Sequence, residues 1–173
     1  MFLISGPVNV PDPVGVKVVK VETAREMLQA AEAALPSDVA IFAAAVADWR
    51  MAEPKDQKIK KGGKGALEFS LVENPDILAT IAHDKARRPK LVIGFAAETE
   101  KVIENAKVKL ARKGCDWIIA NDVSPATGVM GGDINTVHIV TRAGVESLAP
   151  QSKEEVAEAL VARIVAEFAE MKR

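Results

Sequence analysis

"VAIFAAAVADW", residues 39–49, decides the fold. Nine apolar residues run unbroken from Val39 to Ala47 and stop at Asp48-Trp49-Arg50. The run does not alternate, so it predicts a strand buried on both faces, as in a parallel sheet covered by helices. It is also far short of the roughly 20 residues of a membrane span.

Working outward, strand and helix signals alternate. "FLIS" (2–5) is a short apolar run ended by Ser5-Gly6-Pro7, and "VKVVKVE" (16–22) has strand character. Thr23 and Glu26 form a capping box that opens a helix ending at Pro36. "MAEPKDQKIKKGGKGA" (51–66) has no periodicity and reads as a loop, while "LEFSLVE" (67–73) alternates like a strand. Asn74-Pro75 reads as an N-cap followed by proline at the first helical position. "KLVIGFA" (90–96) and "CDWIIAND" (115–122) are further strands around a helix over 98–114 stopped by Gly114. "INTVHIVTRAGVESL" (134–148) reads as a hairpin. Ser152 and Glu155 cap a last helix with the stripe Val156, Leu160, Ile164, Phe168, Met171. The pattern is α/β with a largely parallel sheet, read as one domain over residues 1–173.

Bulk properties exclude several classes. With 23 Lys+Arg against 24 Asp+Glu, the net charge of −1 lacks the basic excess of a general nucleic-acid binder. The N-terminus has no basic region and meets Pro7 too soon for a secretory signal. A lone cysteine, Cys115, excludes an intramolecular disulfide and suits a reducing, cytoplasmic setting. His83 and His138 lack metal-ligand spacing.

Ligands of such sheets bind beyond the carboxyl ends of the strands, where several polar clusters fall. Asp48 suits a ribose hydroxyl or magnesium, or merely caps its turn. "NPDIL" (74–78) offers a helix N-terminus for an anion, or is an ordinary capped helix. Phe95, beside Gly94, stacks on a base or fills core. Lys109 and Lys113, four apart on one helix face, form an anion site or match the helix dipole. "KIKKGGKG" (58–65) holds four lysines and three glycines, which suits a lid over a polyphosphate or a solvated loop. It is not a Walker A loop, and no dinucleotide fingerprint is present.

In order, "AAVADW", "KIKK", "ENPDIL", "GFAAET", "KVKLARKGCDWIIAND" and "INTVHIV" resemble the phosphopantothenate–cysteine ligase family, the synthetase half of a bifunctional coenzyme A enzyme, over nearly the whole chain. The resemblance implies a Rossmann-like three-layer domain with a β-hairpin extension, a homodimer, and a decarboxylase domain in the full-length protein. It implies that magnesium-CTP activates 4′-phosphopantothenate as an acyl-cytidylate and that cysteine then displaces CMP. It carries nucleotide contacts onto Ala44, Asp48, Lys58, Asn74, Pro75, Asp76, Ile77, Phe95, Lys109 and Lys113. Lys58, on a mobile flap over 51–66, takes the catalytic role of neutralising the departing pyrophosphate. No metal ligand from the protein is assigned.

The family's opening strand, Gly-rich turn and helix, with an "N-x-S-S-G-K-x-G" stretch and an Asn that works on the acyl-cytidylate, have no match here. The expectation is an N-terminally truncated domain, a sheet short of a central strand, and weak or no ligase activity. The alternatives are a nicotinamide-dependent reductase, against which stands the absence of any tyrosine, and a non-catalytic dimerisation or binding module.

Overall fold

The computed structural model describes residues 1–53, 68–124 and 134–171. Its central element is an eight-residue strand, β6 (Leu91–Glu98). β6 pairs in parallel with β3 (Val39–Phe42) on one side and β7 (Trp117–Asp122) on the other. Beyond β7 the sheet turns antiparallel through β9 (Val137–Thr141) and β10 (Val145–Ser147), the expected hairpin. The order is β10-β9-β7-β6-β3.

Strand side chains alternate between faces, and the sheet sorts its core accordingly. Val92, Ala96, Ile118, Ala120 and Val140 pack on one face against Ala82 of α2 (Ile77–Ala82) and Ala106 and Leu110 of α3 (Val102–Lys113). Leu91, Ile93, Trp117, Ile119, Val137 and Ile139 pack on the other against Val156 and Leu160 of α4 (Lys153–Glu170). Helix, sheet and helix make the expected three layers. The α4 stripe is as predicted through Ile164 and Phe168, but Met171 is exposed at the helix end.

The helix ends follow their sequence signals. Thr23 caps α1 (Ala24–Ala33) and Ser152 caps α4, each with a reciprocal bond from the glutamate three residues on. Backbone N–H groups that donate to these carboxylates, Glu22 and then Thr23 for Glu26 and Ser152 for Glu155, hold both carboxyls below their ordinary range. Gly114 ends α3 at φ 69°, a left-handed conformation where a Cβ would also strike the His83 ring.

Three expectations are corrected. The apolar run 39–47 is not a long strand buried on both faces. β3 stops at Phe42, lies at the sheet edge and is half-exposed, with Ile41 53% accessible. Its outer edge has no partner among the described residues, and the small alanines that follow bury too little to extend the pairing. Asp48-Trp49-Arg50 does not simply end that strand. Trp49–Met51 forms β4, antiparallel to β5 (Leu71–Glu73), which replaces the longer strand expected over 67–73. The α3 helix begins at Val102 rather than at residue 98, because Glu98 is the last ladder residue of β6.

β1 (Phe2–Ser5) and β2 (Lys17–Lys20) form a separate parallel pair. Two further short strands, β8 (Ile134–Asn135) and β11 (Gln151–Ser152), pair antiparallel before α4. Among the described residues no helix is long and apolar enough to cross a membrane. Most of the expected flap over 51–66, including Lys58, lies outside the described residues.

Gly94 permits a close approach, but of α2 rather than of a ligand. A Cβ there would meet Leu78 Cδ2 at 2.5 Å and Ile118 Cδ1 at 3.1 Å. Gly94→Ala is therefore expected to cost about 1–3 kcal/mol in urea unfolding, as overpacking does. Combined with Leu78→Ala, the loss should be smaller than the sum of the two single losses.

Candidate functional site

A cavity of about 1260 Å³ opens along the free edge of β3. One part runs between β1 and β3, walled by Met1–Ile4 and Val39–Phe42. The other lies beyond the strand ends, walled by 43–49, 74–78, Phe95 and the last turn of α3. Nine of the ten residues singled out from sequence line it: Ala44, Asp48, Asn74, Pro75, Asp76, Ile77, Phe95, Lys109 and Lys113. The tenth, Lys58, is outside the described residues.

Each arrives by a different route. Ala44 and Asp48 lie on the exposed stretch between β3 and β4. Phe95 does not end its strand but sits inside β6, and at 38% exposure it presents its ring to the cavity instead of filling core. Val102, Ala106, Lys109 and Lys113 share one α3 face at helical spacing. That face packs at Ala106 and carries its two cations to the cavity rim.

The N-cap of α2 is also corrected. Asp76, not Asn74, caps the helix, its carboxylate accepting from Ala79 N at 3.1 Å. Asn74 is committed elsewhere: its Nδ2 donates to the Ala47 carbonyl at 2.9 Å, and its backbone N–H donates to the Asp48 carbonyl at 2.8 Å. Pro75 accordingly precedes the cap instead of following it. The Ala79 N–H is thereby spent on Asp76, as in an ordinary capped helix, one of the two readings the sequence leaves open.

The cations are paired. Lys113 donates to Asp76 Oδ2. Lys109 Nζ lies 2.6 Å from Glu98 Oε1, an ionic contact without the alignment of a hydrogen bond, and Glu98 Oε2 accepts from Asn105 Nδ2 at 3.2 Å. Burial acts to raise the Asp76 pKa, but the Lys113 hydrogen bond, the Ala79 N–H and the charges of Lys113 and Arg112 outweigh it and hold the carboxyl below its ordinary 3.8. Cys115 is far from this chemistry. It is fully buried, and desolvation pushes its thiol up to about 11, which makes it an inert core residue.

Sequence reasoning missed three neighbours. Arg112 lines the cavity along with the two paired lysines and was legible as part of the same basic turn. Glu98 and Arg50 became visible only when the fold brought them to Lys109 and Asn74. Among the described residues no group of three or more His, Cys, Asp or Glu could hold a metal ion.

Comparison with known proteins places these features in a family. The model of the DNA/pantothenate metabolism flavoprotein C-terminal domain matches residues 1–168. The Haemophilus influenzae "Coenzyme A biosynthesis bifunctional protein CoaBC" is 42% identical over 167 residues, 96% of this chain and 41% of that protein. Its namesake in Escherichia coli K12 is 42% identical over 174 residues, 99% of this chain and 43% of that protein. The chain thus spans about two fifths of the length of these curated relatives. A crystal structure of the C-terminal domain of CoaBC superposes with a TM-score of 0.77 at 33% identity, covering 98% of this chain and 74% of that one.

The Asp76–Lys113 pair sets a pH dependence. A carboxyl depressed in the folded state adds stability above its unfolded pKa and loses it as pH falls through the folded pKa. Asp76→Asn keeps a good capping residue but removes the charge. It should be less stable than the parent at pH 7, and the gap should close on acidification below about pH 4. Chemical denaturation across that range reads the difference. A gap that stays constant with pH would assign the loss to the cap.

Proposed function

The chain belongs to the DNA/pantothenate metabolism flavoprotein C-terminal domain family, and on that premise we propose that its cavity is the nucleotide site of a phosphopantothenate–cysteine ligase. The reaction joins 4′-phosphopantothenate to cysteine in coenzyme A biosynthesis, with CTP and Mg²⁺ as co-substrate. The observation that carries the reading is that nine of the ten positions the family resemblance assigns to the nucleotide line one cavity.

The chemistry asks little covalent work of the protein. The substrate carboxylate attacks the α-phosphorus of CTP, a P–O bond forms, and pyrophosphate leaves. The cysteine amine then attacks the acyl carbon, the amide forms with loss of a proton from nitrogen, and CMP leaves. Each step moves negative charge, so catalysis rests on placing cations and dipoles where charge develops. Lys109, Arg112 and Lys113 supply cations at the rim, and Phe95, lining the same cavity, is assigned as a stacking surface. Two of those cations already face carboxylates, Glu98 and Asp76. The triphosphate therefore calls on further positive charge, and Lys58 is the residue we assign to the pyrophosphate. Asp48, on the cavity wall, is the residue we assign to a ribose hydroxyl or to an ion carried on the phosphates.

The cavity exceeds the roughly 300–1,000 Å³ of an ordinary ligand pocket. Part of it is the space between β1 and β3, strands of two sheets that do not pair with each other. We assign that space to one further strand from sequence flanking these residues, and expect the isolated chain to hold only part of the site. A decarboxylase domain in the same polypeptide and a homodimer complete the proposal.

Pyrophosphate release from magnesium-CTP with phosphopantothenate tests it, on this chain and on the chain with family sequence restored upstream. Release by the restored protein supports the ligase, and release by neither, with both folded, overturns it. In the active form Lys58→Gln should slow the first step by about 10²-fold or more while changing CTP affinity far less, as loss of a transition-state contact does. Equal losses would reduce Lys58 to a binding residue.

A further inference from the structure

The wall of the cavity that carries Ala44 and Asp48 has no regular secondary structure between Phe42 and Trp49. Two hydrogen bonds fasten its far end to the sheet–helix junction, and both come from Asn74: Nδ2 to the Ala47 carbonyl at 2.9 Å and N–H to the Asp48 carbonyl at 2.8 Å. The first bond exists only while the Asn74 carboxamide is turned with its nitrogen toward Ala47. The group facing the other end of that carboxamide decides this.

That group is Arg50. Its Nη1 donates to Asn74 Oδ1 at 3.4 Å and also to the Glu73 carbonyl. A guanidinium can only donate, so it selects the carboxamide oxygen and sends the nitrogen to Ala47. Its bond to the Glu73 carbonyl ties the same nitrogen to β5, directly before Asn74. Arg50 sits opposite Val72 in the β4–β5 ribbon, so its backbone is fixed by the ladder. It is half-buried, beside a groove of about 520 Å³ that Arg25, Leu28, Gln29 and Glu32 of α1 complete. It does not line the cavity.

We propose that Arg50 is a positioning residue: by orienting Asn74 it holds Ala47 and Asp48 in place at the cavity wall, and so sets nucleotide affinity without touching the nucleotide. The inference rests on the functional reading above. It assigns Arg50 a task distinct from the surface-charge role that an arginine on an exposed ribbon ordinarily has. Lysine, shorter and lacking the planar fork, fulfils it only in part.

The test is a double-mutant cycle on magnesium-CTP affinity by calorimetry, using the chain joined to upstream family sequence, with hydrogen exchange as a second readout. Arg50→Met should weaken CTP binding about tenfold, the scale of one lost hydrogen bond to a charged group. Arg50→Lys should recover part of this. Arg50→Met added to Asn74→Ala should weaken binding no further than about twofold, because the two act as one device. Exchange of the Asn74 amide should quicken about tenfold in Arg50→Met while the β6 and β7 amides keep their protection.

Fully additive effects, unchanged affinity, or a loss that tracks lowered protection across the whole sheet would each overturn the proposal. Parent protein that binds no CTP would overturn the functional reading instead. Asn74 exchange then still decides whether Arg50 holds the segment: quickened exchange keeps the latch, and unchanged exchange removes it.

Discussion

Everything in this fold hangs on β6 being buried on both faces. Leu91 and Ile93 face α4 while Val92 and Ala96 face α2 and α3, and all four are at most 2% accessible. Buried side chains of this size each contribute about 1.5–3 kcal/mol. Because strand side chains alternate strictly, a one-residue slip of β6 would exchange both sets at once. Register is thereby fixed from two directions. β7 repeats the pattern with Trp117 and Ile119 against Ile118 and Ala120. The cavity is the consequence at the open edge, since the β3 ladder ends at Phe42 opposite Gly94 while β6 continues four residues further.

The site built on this frame has one stiff wall and one compliant wall. The stiff wall is Phe95 on β6 and the last turn of α3, held by Ala106 and Leu110 in the core. Its lysines are oriented by Glu98 and Asp76, which costs net charge: a carboxylate that fixes an ammonium also cancels it. Such pairs locate a cation precisely enough to matter while leaving little field beyond them. On the proposed reading, attraction of a polyphosphate calls on cations beyond these two pairs, and Arg112 also lines the cavity.

How much of this was legible in the sequence depended on how local each signal was. Both capping boxes, the Gly114 stop and the α4 stripe as far as Phe168 are written within a few residues of where they act, and each was read correctly. β6 and β7 were read from apolar runs whose burial the structure bears out. The run at 39–47 looked the same but behaved differently. Burial on both faces needs neighbours on both edges, and no property of the run itself reports whether the outer neighbour is present. The α2 cap failed for a related reason. Asn74 and Asp76 are both good capping residues, and the choice fell to Asp76 because Arg50 and Ala47, 24 and 27 residues away in sequence, claim the Asn74 side chain. Glu98 was hidden likewise, read as the start of a helix when it closes a strand.

Residues chosen by chemistry or by family resemblance converged on one cavity, whereas the residues that hold them were found only through contacts. This division has a physical origin. A group that meets a ligand must have a particular functional end, so residue type and motif reveal it. A group that orients another must have a particular place, and many side chains could serve. Arg50 shows the difference: on sequence it is one charge after Asp48-Trp49, and in the fold one nitrogen of its guanidinium decides which way a carboxamide faces. The compliant wall is thus governed from outside the cavity, through a single side chain that the stiff wall does not touch. Substitutions around β4 and β5 can therefore alter the site's grip while leaving every lining residue in place.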